Sequence, residues 1–289
     1  MNQSKNLRKS LIAASAALLI AVSACVVSTY AWYIYNTGAH TTTVQLAAGS
    51  SIKLQISSDN SNFGYSANMT ATDKFVGVLN PVSTDNISNG FQKVKLFENV
   101  VKNGQNRFMA SIFSDAEQYK DYFHTKLYLR TNASSMDIYI SDISGTDKDE
   151  TKPISTAVRV GLVMDGVQSV FELSDKNNPE ALNNTKKGED GEIFVLDSTK
   201  KDGSVNNTFR PYTSDNFCDY DKATGEVKLK NGSHKIGTIT GSGSSDFGSS
   251  KAVDVYIWLE GCDKDCVINL LGATLENLSI SFAGVSTDT

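Results

Sequence analysis

Histidine, cysteine and helical periodicity are all scarce in this chain of 289 residues. The three histidines, His40, His124 and His234, are scattered without metal-ligand spacing. No His-Glu-x-x-His occurs, so the two-histidine helix with a glutamate base is missing. Also missing are a Gly-x-Ser-x-Gly elbow and the Gly-Lys-Ser or Gly-Lys-Thr loop that cradles a phosphate. Four cysteines are too few for a disulfide scaffold, and a structural zinc needs four ligands. Cys262 and Cys266 are close enough in sequence to be candidates for one local bridge. No block of basic residues is present outside the first ten, so a run of phosphates would find nothing to neutralise it and nucleic acid is excluded as a partner.

The longest absence is of charge. From Ser10 to Ile52 there is no Lys, Arg, Asp or Glu, and a basic start (Lys5, Arg8, Lys9) precedes the apolar run from Leu11 to Tyr35. A helix needs about 20 apolar residues to cross a bilayer, and this run is long enough. It reads as a signal peptide with a small-residue exit, Ser28-Thr29-Tyr30-Ala31, and a cut between Ala31 and Trp32, or as a retained anchor with its basic end cytoplasmic. Either reading places the residues beyond Trp32 outside the membrane. Val22-Ser23-Ala24-Cys25 has the residue types of a lipobox, which makes Cys25 a candidate for acylation. Cleavage after Ala31 removes Lys5, Arg8 and Lys9 and no acid, taking the formal charge from −5 to −8.

What fills residues 32–289 is alternation of apolar and polar residues, which puts one set of side chains on a core face and the other on solvent. Ile52, Leu54 and Ile56 show it, as do Val94 and Leu96, the segment Phe123 to Arg130, Ile138 and Ile140, and Val158 to Leu162. Val170 and Leu173 follow the turn signal Asp165-Gly166; Val253 to Leu259 and Leu278 to Phe282 close the series. Helix is expected only at Asp115 to Tyr122 and at Asp263 to Leu271, whose acidic start suits the dipole. Many short strands with almost no helix predict an all-β, antiparallel β-sandwich of jelly-roll type, formed as one domain over 32–289. The stretch 174–250, rich in Asn, Asp, Lys, Gly and Ser, is expected to be a loop-rich insertion with strand candidates at Glu192 to Leu196 and Val227 to Leu229.

The basic start, the apolar run, Ser28-Thr29-Tyr30-Ala31-Trp32-Tyr33 and the later strand Ser51-Ile52-Lys53-Leu54-Gln55-Ile56 resemble the TasA and camelysin family of secreted Gram-positive proteins. Leu127 to Arg130, Asp137 to Ile140, and Val255 to Gly261 with Asp263 and Cys266 look like segments of larger relatives of that group. The resemblance implies cleavage between Ala31 and Trp32 by a dedicated signal peptidase. It also implies a jelly-roll sandwich that assembles with itself into extracellular fibres of the biofilm matrix, the N-terminal strand of one subunit completing the sheet of the next. Trp32-Tyr33-Ile34-Tyr35 has the aromatic and β-branched composition for such a donor strand.

Camelysin's description as a metallopeptidase raises an enzyme as the competing class. The tightest carboxylate cluster, Glu260, Asp263 and Asp265, is a weak candidate for Ca²⁺; Asp219, Asp221 and Glu226 around Thr224-Gly225 fail calcium-loop spacing and read as a hairpin turn. The sequence is therefore read as a non-enzymatic structural protein without a cofactor, at the cell surface or in the matrix. The alternative is a membrane- or lipid-anchored β-domain that binds a ligand or host component through its loops.

Overall fold

Alternating segments can bury one face only if they pair, and in the computed structural model they do. The structure describes residues 43–47, 54–69, 80–94 except 85, 100–102, 105–107, 113–173, 211–261 except 222 and 223, residues 266, 270 and 273, and 275–287. The strands are β1 (Thr43–Ala47), β2 (Leu54–Ser57), β3 (Ser66–Asn68), β4 (Pro81–Ser83), β5 (Gln92–Val94), β6 (Val100–Lys102), β7 (Gln105–Arg107), β8 (Phe113–Asp115) and β9 (Phe123–Thr131). They continue as β10 (Ser135–Asp147), β11 (Val158–Met164), β12 (Val167–Glu172), β13 (Asp219–Asp221), β14 (Glu226–Lys228), β15 (Lys235–Thr240), β16 (Lys251–Glu260) and β17 (Leu275–Ser286).

Two sheets dominate. One has the order β15-β10-β17-β1-β3. The other branches at β16, which pairs with β11 on one edge and shares its second edge between β9 and β4. Beyond β11 lies β12, beyond β9 lies β2, and β4 leads to β5 and β8. Pairing is antiparallel except at β1 with β17 and at β4 with β16. The core lies between the sheets: Leu127, Leu129, Val158, Val160, Val253 and Val255 face Met136, Ile138, Ile140, Ile236, Ile239, Ile280 and Phe282 in one buried cluster. Burying an aliphatic or aromatic side chain of this size contributes about 1.5–3 kcal/mol, so this cluster is the main source of stability.

The outer face of the branched sheet carries a second apolar cluster of Val82, Ile87, Phe91, Val170 and Trp258, covered by residues 80–94. Gly161 on β11 makes the room: a methyl there would stand 2.6 Å from Ile87 Cδ1 and 2.9 Å from Trp258 Cζ3. The hairpin β13–β14 covers the other sheet's outer face around Tyr139, Cys218 and Ala283. Asp165 and Gly166, both at positive φ (52° and 79°), form the two-residue turn between β11 and β12.

Two expectations change. Asp115 to Tyr122 is not helical: Asp115 ends β8, Tyr119 takes φ 64°, and Gln118 bridges to Tyr122 around the buried Asp121. Most of Asp263 to Leu271 lies outside the described residues. Within 174–250, residues 174–210 lie outside them too, while Lys235–Thr240 is a strand of the five-stranded sheet and not a loop. The helices among the described residues are short 3-10 turns at Ile87–Asn89, Ile154–Ala157 and Ser214–Asn216. None of them is long and apolar enough to cross a membrane.

Candidate functional site: the N-terminal strand and the sheet edges

A parallel pair cannot be closed by a hairpin, so β1 reaches its place as a separate arm of the chain. It runs parallel to β17, Val44 opposite Ile280 and Ala47 opposite Ala283, and antiparallel to β3, Thr43 opposite Asn68. It is thus an interior strand supplied by the N-terminal arm. Only residues 48–53 separate it from β2, which belongs to the other sheet. Ala31, the proposed donor residues Trp32, Tyr33, Ile34 and Tyr35, and Cys25 lie outside the described residues.

Unpaired strand edges are templates for pairing with another chain, and several here are blunted. Lys251 Nζ donates to the Thr238 carbonyl at the β15 edge (3.1 Å) and pairs with Asp165 of the neighbouring turn. On the β12 edge Tyr212 N–H donates to Val170 O (2.6 Å) and Tyr212 O accepts from Glu172 N–H (3.0 Å). His234 stacks on Tyr212 with centroids 3.7 Å apart, and its Nε2 is 2.8 Å from Ser169 Oγ. Burial holds the His234 imidazole below its ordinary pKa. Ser169 lies wholly inside the sandwich, which makes this pair a pin between β12 and the 211–234 segment. On β2, Ile56 and Gly64 exchange both backbone bonds (2.8 and 3.0 Å). Arg130 stiffens that corner: it lies over Phe63 and Phe247 and donates twice to Gln55 Oε1. Among the described residues β3 has no strand on its second side.

Polar groups gather on the outer face of the branched sheet. Asp121 is fully buried; its Oδ2 accepts from Glu117 N–H (2.7 Å) and lies 2.9 Å from Lys93 Nζ, and its Oδ1 accepts from Asn80 Nδ2. Tyr122, next in sequence, stacks on Phe91 at 4.2 Å. Nearby, His124 donates from Nε2 to Asp254 (2.7 Å), accepts at Nδ1 from Gln118 (2.9 Å) and stacks on Tyr256. Arg159 and Glu172, paired across β11 and β12, form a buried ion pair at 3.1 Å. The sequence signals none of these groups; residues 80, 93 and 121, for example, come together only in the folded chain.

Of the carboxylates weighed for calcium, Glu260 is buried and accepts the Trp258 indole N–H (3.0 Å). Asp263 and Asp265 lie outside the described residues, among which no group of three or more ligating side chains is placed to hold a metal ion. Asp221 and Glu226 face each other across the β13–β14 hairpin, with Gly225 at φ 74° in its turn. Cys218 is buried, which pushes its thiol up to about 11; Cys266 is buried, and Cys262 lies outside the described residues. Comparison with protein-family models, with curated proteins and with solved structures returns no match to this chain.

Proposed function

We propose that this is a secreted, non-enzymatic structural protein of the cell surface or biofilm matrix, which polymerises by passing an N-terminal strand from one subunit to the sheet of the next. The observation that carries the reading is β1: an interior strand delivered by the N-terminal arm, parallel to β17, with a connection of residues 48–53 to the rest of the fold. An arm bound in this way exchanges between copies at low cost, because each pairing it gives up in one molecule is remade in another. Donor pairing adds main-chain hydrogen bonds along its length and buries alternate side chains. The uncharged segment Trp32-Tyr33-Ile34-Tyr35, which precedes β1 in the sequence, has the aromatic and β-branched composition of a pairing strand. The N-terminal sequence and its resemblance to TasA and camelysin support secretion.

The test is the N-terminus of the protein recovered from its native cells. A start at Trp32 in the extracellular fraction is expected. An acylated Cys25 or an intact N-terminus held in the membrane would replace the secreted fibre by the anchored surface domain.

A further inference from the structure

Three residues that the sandwich does not need for its core meet at one buried carboxylate. We propose that Lys93 and Asn80 join through an intramolecular amide bond between their side chains, with Asp121 carrying the protons of the reaction. Lys93 Nζ lies 2.9 Å from Asp121 Oδ2, and Asn80 Nδ2 donates to Oδ1 of the same carboxylate. An amine and a carboxamide held by the two oxygens of one group are neighbours by construction.

The strand register brings them together independently. Val82 of β4 lies opposite Lys93 of β5, and Asn80 immediately precedes β4, two residues before Val82. Diagonal neighbours across an antiparallel ladder are roughly 7–8 Å apart at the backbone, within reach of a lysine. The acid is fixed and sheltered. Asp121 has no exposed surface, Glu117 N–H holds its Oδ2 at 2.7 Å, and the Tyr122–Phe91 stack adjoins it.

The chemistry balances without a co-reactant. The Lys93 ammonium gives one proton to Asp121 Oδ2, and the freed Nζ lone pair attacks Asn80 Cγ. The Cγ–Nδ2 bond breaks as Asp121 returns that proton to Nδ2. A second proton passes from Nζ by the same route, so that nitrogen leaves as ammonium and Asp121 ends as it began. The product is one amide N–H between the side chains, with one positive charge lost from the chain. Holding both partners against one proton carrier supplies the proximity that an unactivated amide needs. The bond staples β4 to β5 and fixes the cover over Trp258, and it stands whether or not the chain polymerises.

The experiment is peptide mapping by mass spectrometry of the full chain, purified folded. Trypsin should give residues 75–95 as one species, uncleaved after Lys93 and one ammonia lighter than its sequence, and a second cut before Asp85 should leave 75–84 and 85–95 still joined. Asn80→Ala and Lys93→Arg should each abolish it, and Asp121→Asn, which keeps both reactants, should abolish it too. Separate, unmodified Asn80 and Lys93 peptides from the folded wild type would overturn the proposal even if every variant failed to fold. An ammonia deficit confined to the fragment that starts at Asp85, as cyclisation at Asn89-Gly90 gives, would also overturn it, and full cross-linking in Asp121→Asn would remove Asp121 from the reaction.

Discussion

Adding a single methyl group at Gly161 tests whether the second apolar cluster is close-packed. In Gly161→Ala the new carbon would stand 2.6 Å from Ile87 Cδ1 and 2.9 Å from Trp258 Cζ3, against the roughly 3.5–4 Å of a relaxed carbon contact. Ile87 Cδ1 is the end of a side chain and can give way. Trp258 cannot easily do so: it is wholly buried, its indole N–H is bound to Glu260 Oε2, and Phe91 meets it edge-on at 5.1 Å. Overpacking of this kind costs about 1–3 kcal/mol, and the stiffer unfolded chain of an alanine returns only about 0.4–1 kcal/mol. The clash wins, for a net loss of about 1–2 kcal/mol. Ile87→Val alone should cost about 0.5–1.5 kcal/mol, yet in the alanine background it removes the closer of the two contacts. The double variant should therefore be more stable than additivity predicts by at least about 0.5 kcal/mol. Guanidinium unfolding followed by tryptophan emission measures this directly, since Trp258 and Trp32 are the chain's two tryptophans. Gly161→Ala at or above wild-type stability, or a strictly additive double variant, would refute the packing argument.

Arg159→Met should cost about 3–5 kcal/mol in the same assay by leaving Glu172 charged inside the protein, and Arg159→Met with Glu172→Leu should recover most of that loss. His234 has a folded pKa below its ordinary 6.5 because of burial, so the unfolded chain binds the proton first. Stability contributed by neutral His234 is full above 6.5 and lost as pH falls from there towards the folded pKa. Thermal melts should show this slope, and His234→Gln, tested at the same pH values, should flatten it.

Strand existence was legible wherever alternation is unbroken, as in Phe123 to Arg130 and Val253 to Leu259. It fails where the ladder bends. β10 buries Met136, Ile138 and Ile140, then a register shift between Ile140 and Asp142 brings Ile143 inward and hides the rest of the strand from a period-two reading. β15 escaped because Lys-Ile-Gly-Thr-Ile-Thr has glycine where alternation is sought: Gly237 packs against Met164, leaving Ile236 and Ile239 as the buried positions. The segment Asp115 to Tyr122 has helix-compatible composition, but the buried Asp121 carboxylate offers its backbone and side-chain partners a better-satisfied turn. The site at Asp121 left no mark in the sequence at all, since its three members share no motif spacing.

The central claim is assembly through the N-terminal arm. It is tested most directly by electron microscopy and sedimentation of the chain beginning at Trp32 against the same chain with residues Trp32 to Ala47 deleted, at equal concentration. The deletion removes the whole arm with β1 and leaves the core strands β9, β10, β16 and β17 in the chain. Filaments from the intact chain and a folded monomer from the truncated one are predicted; filaments in equal amount from both, or an intact chain that stays monomeric under all conditions, would contradict the account.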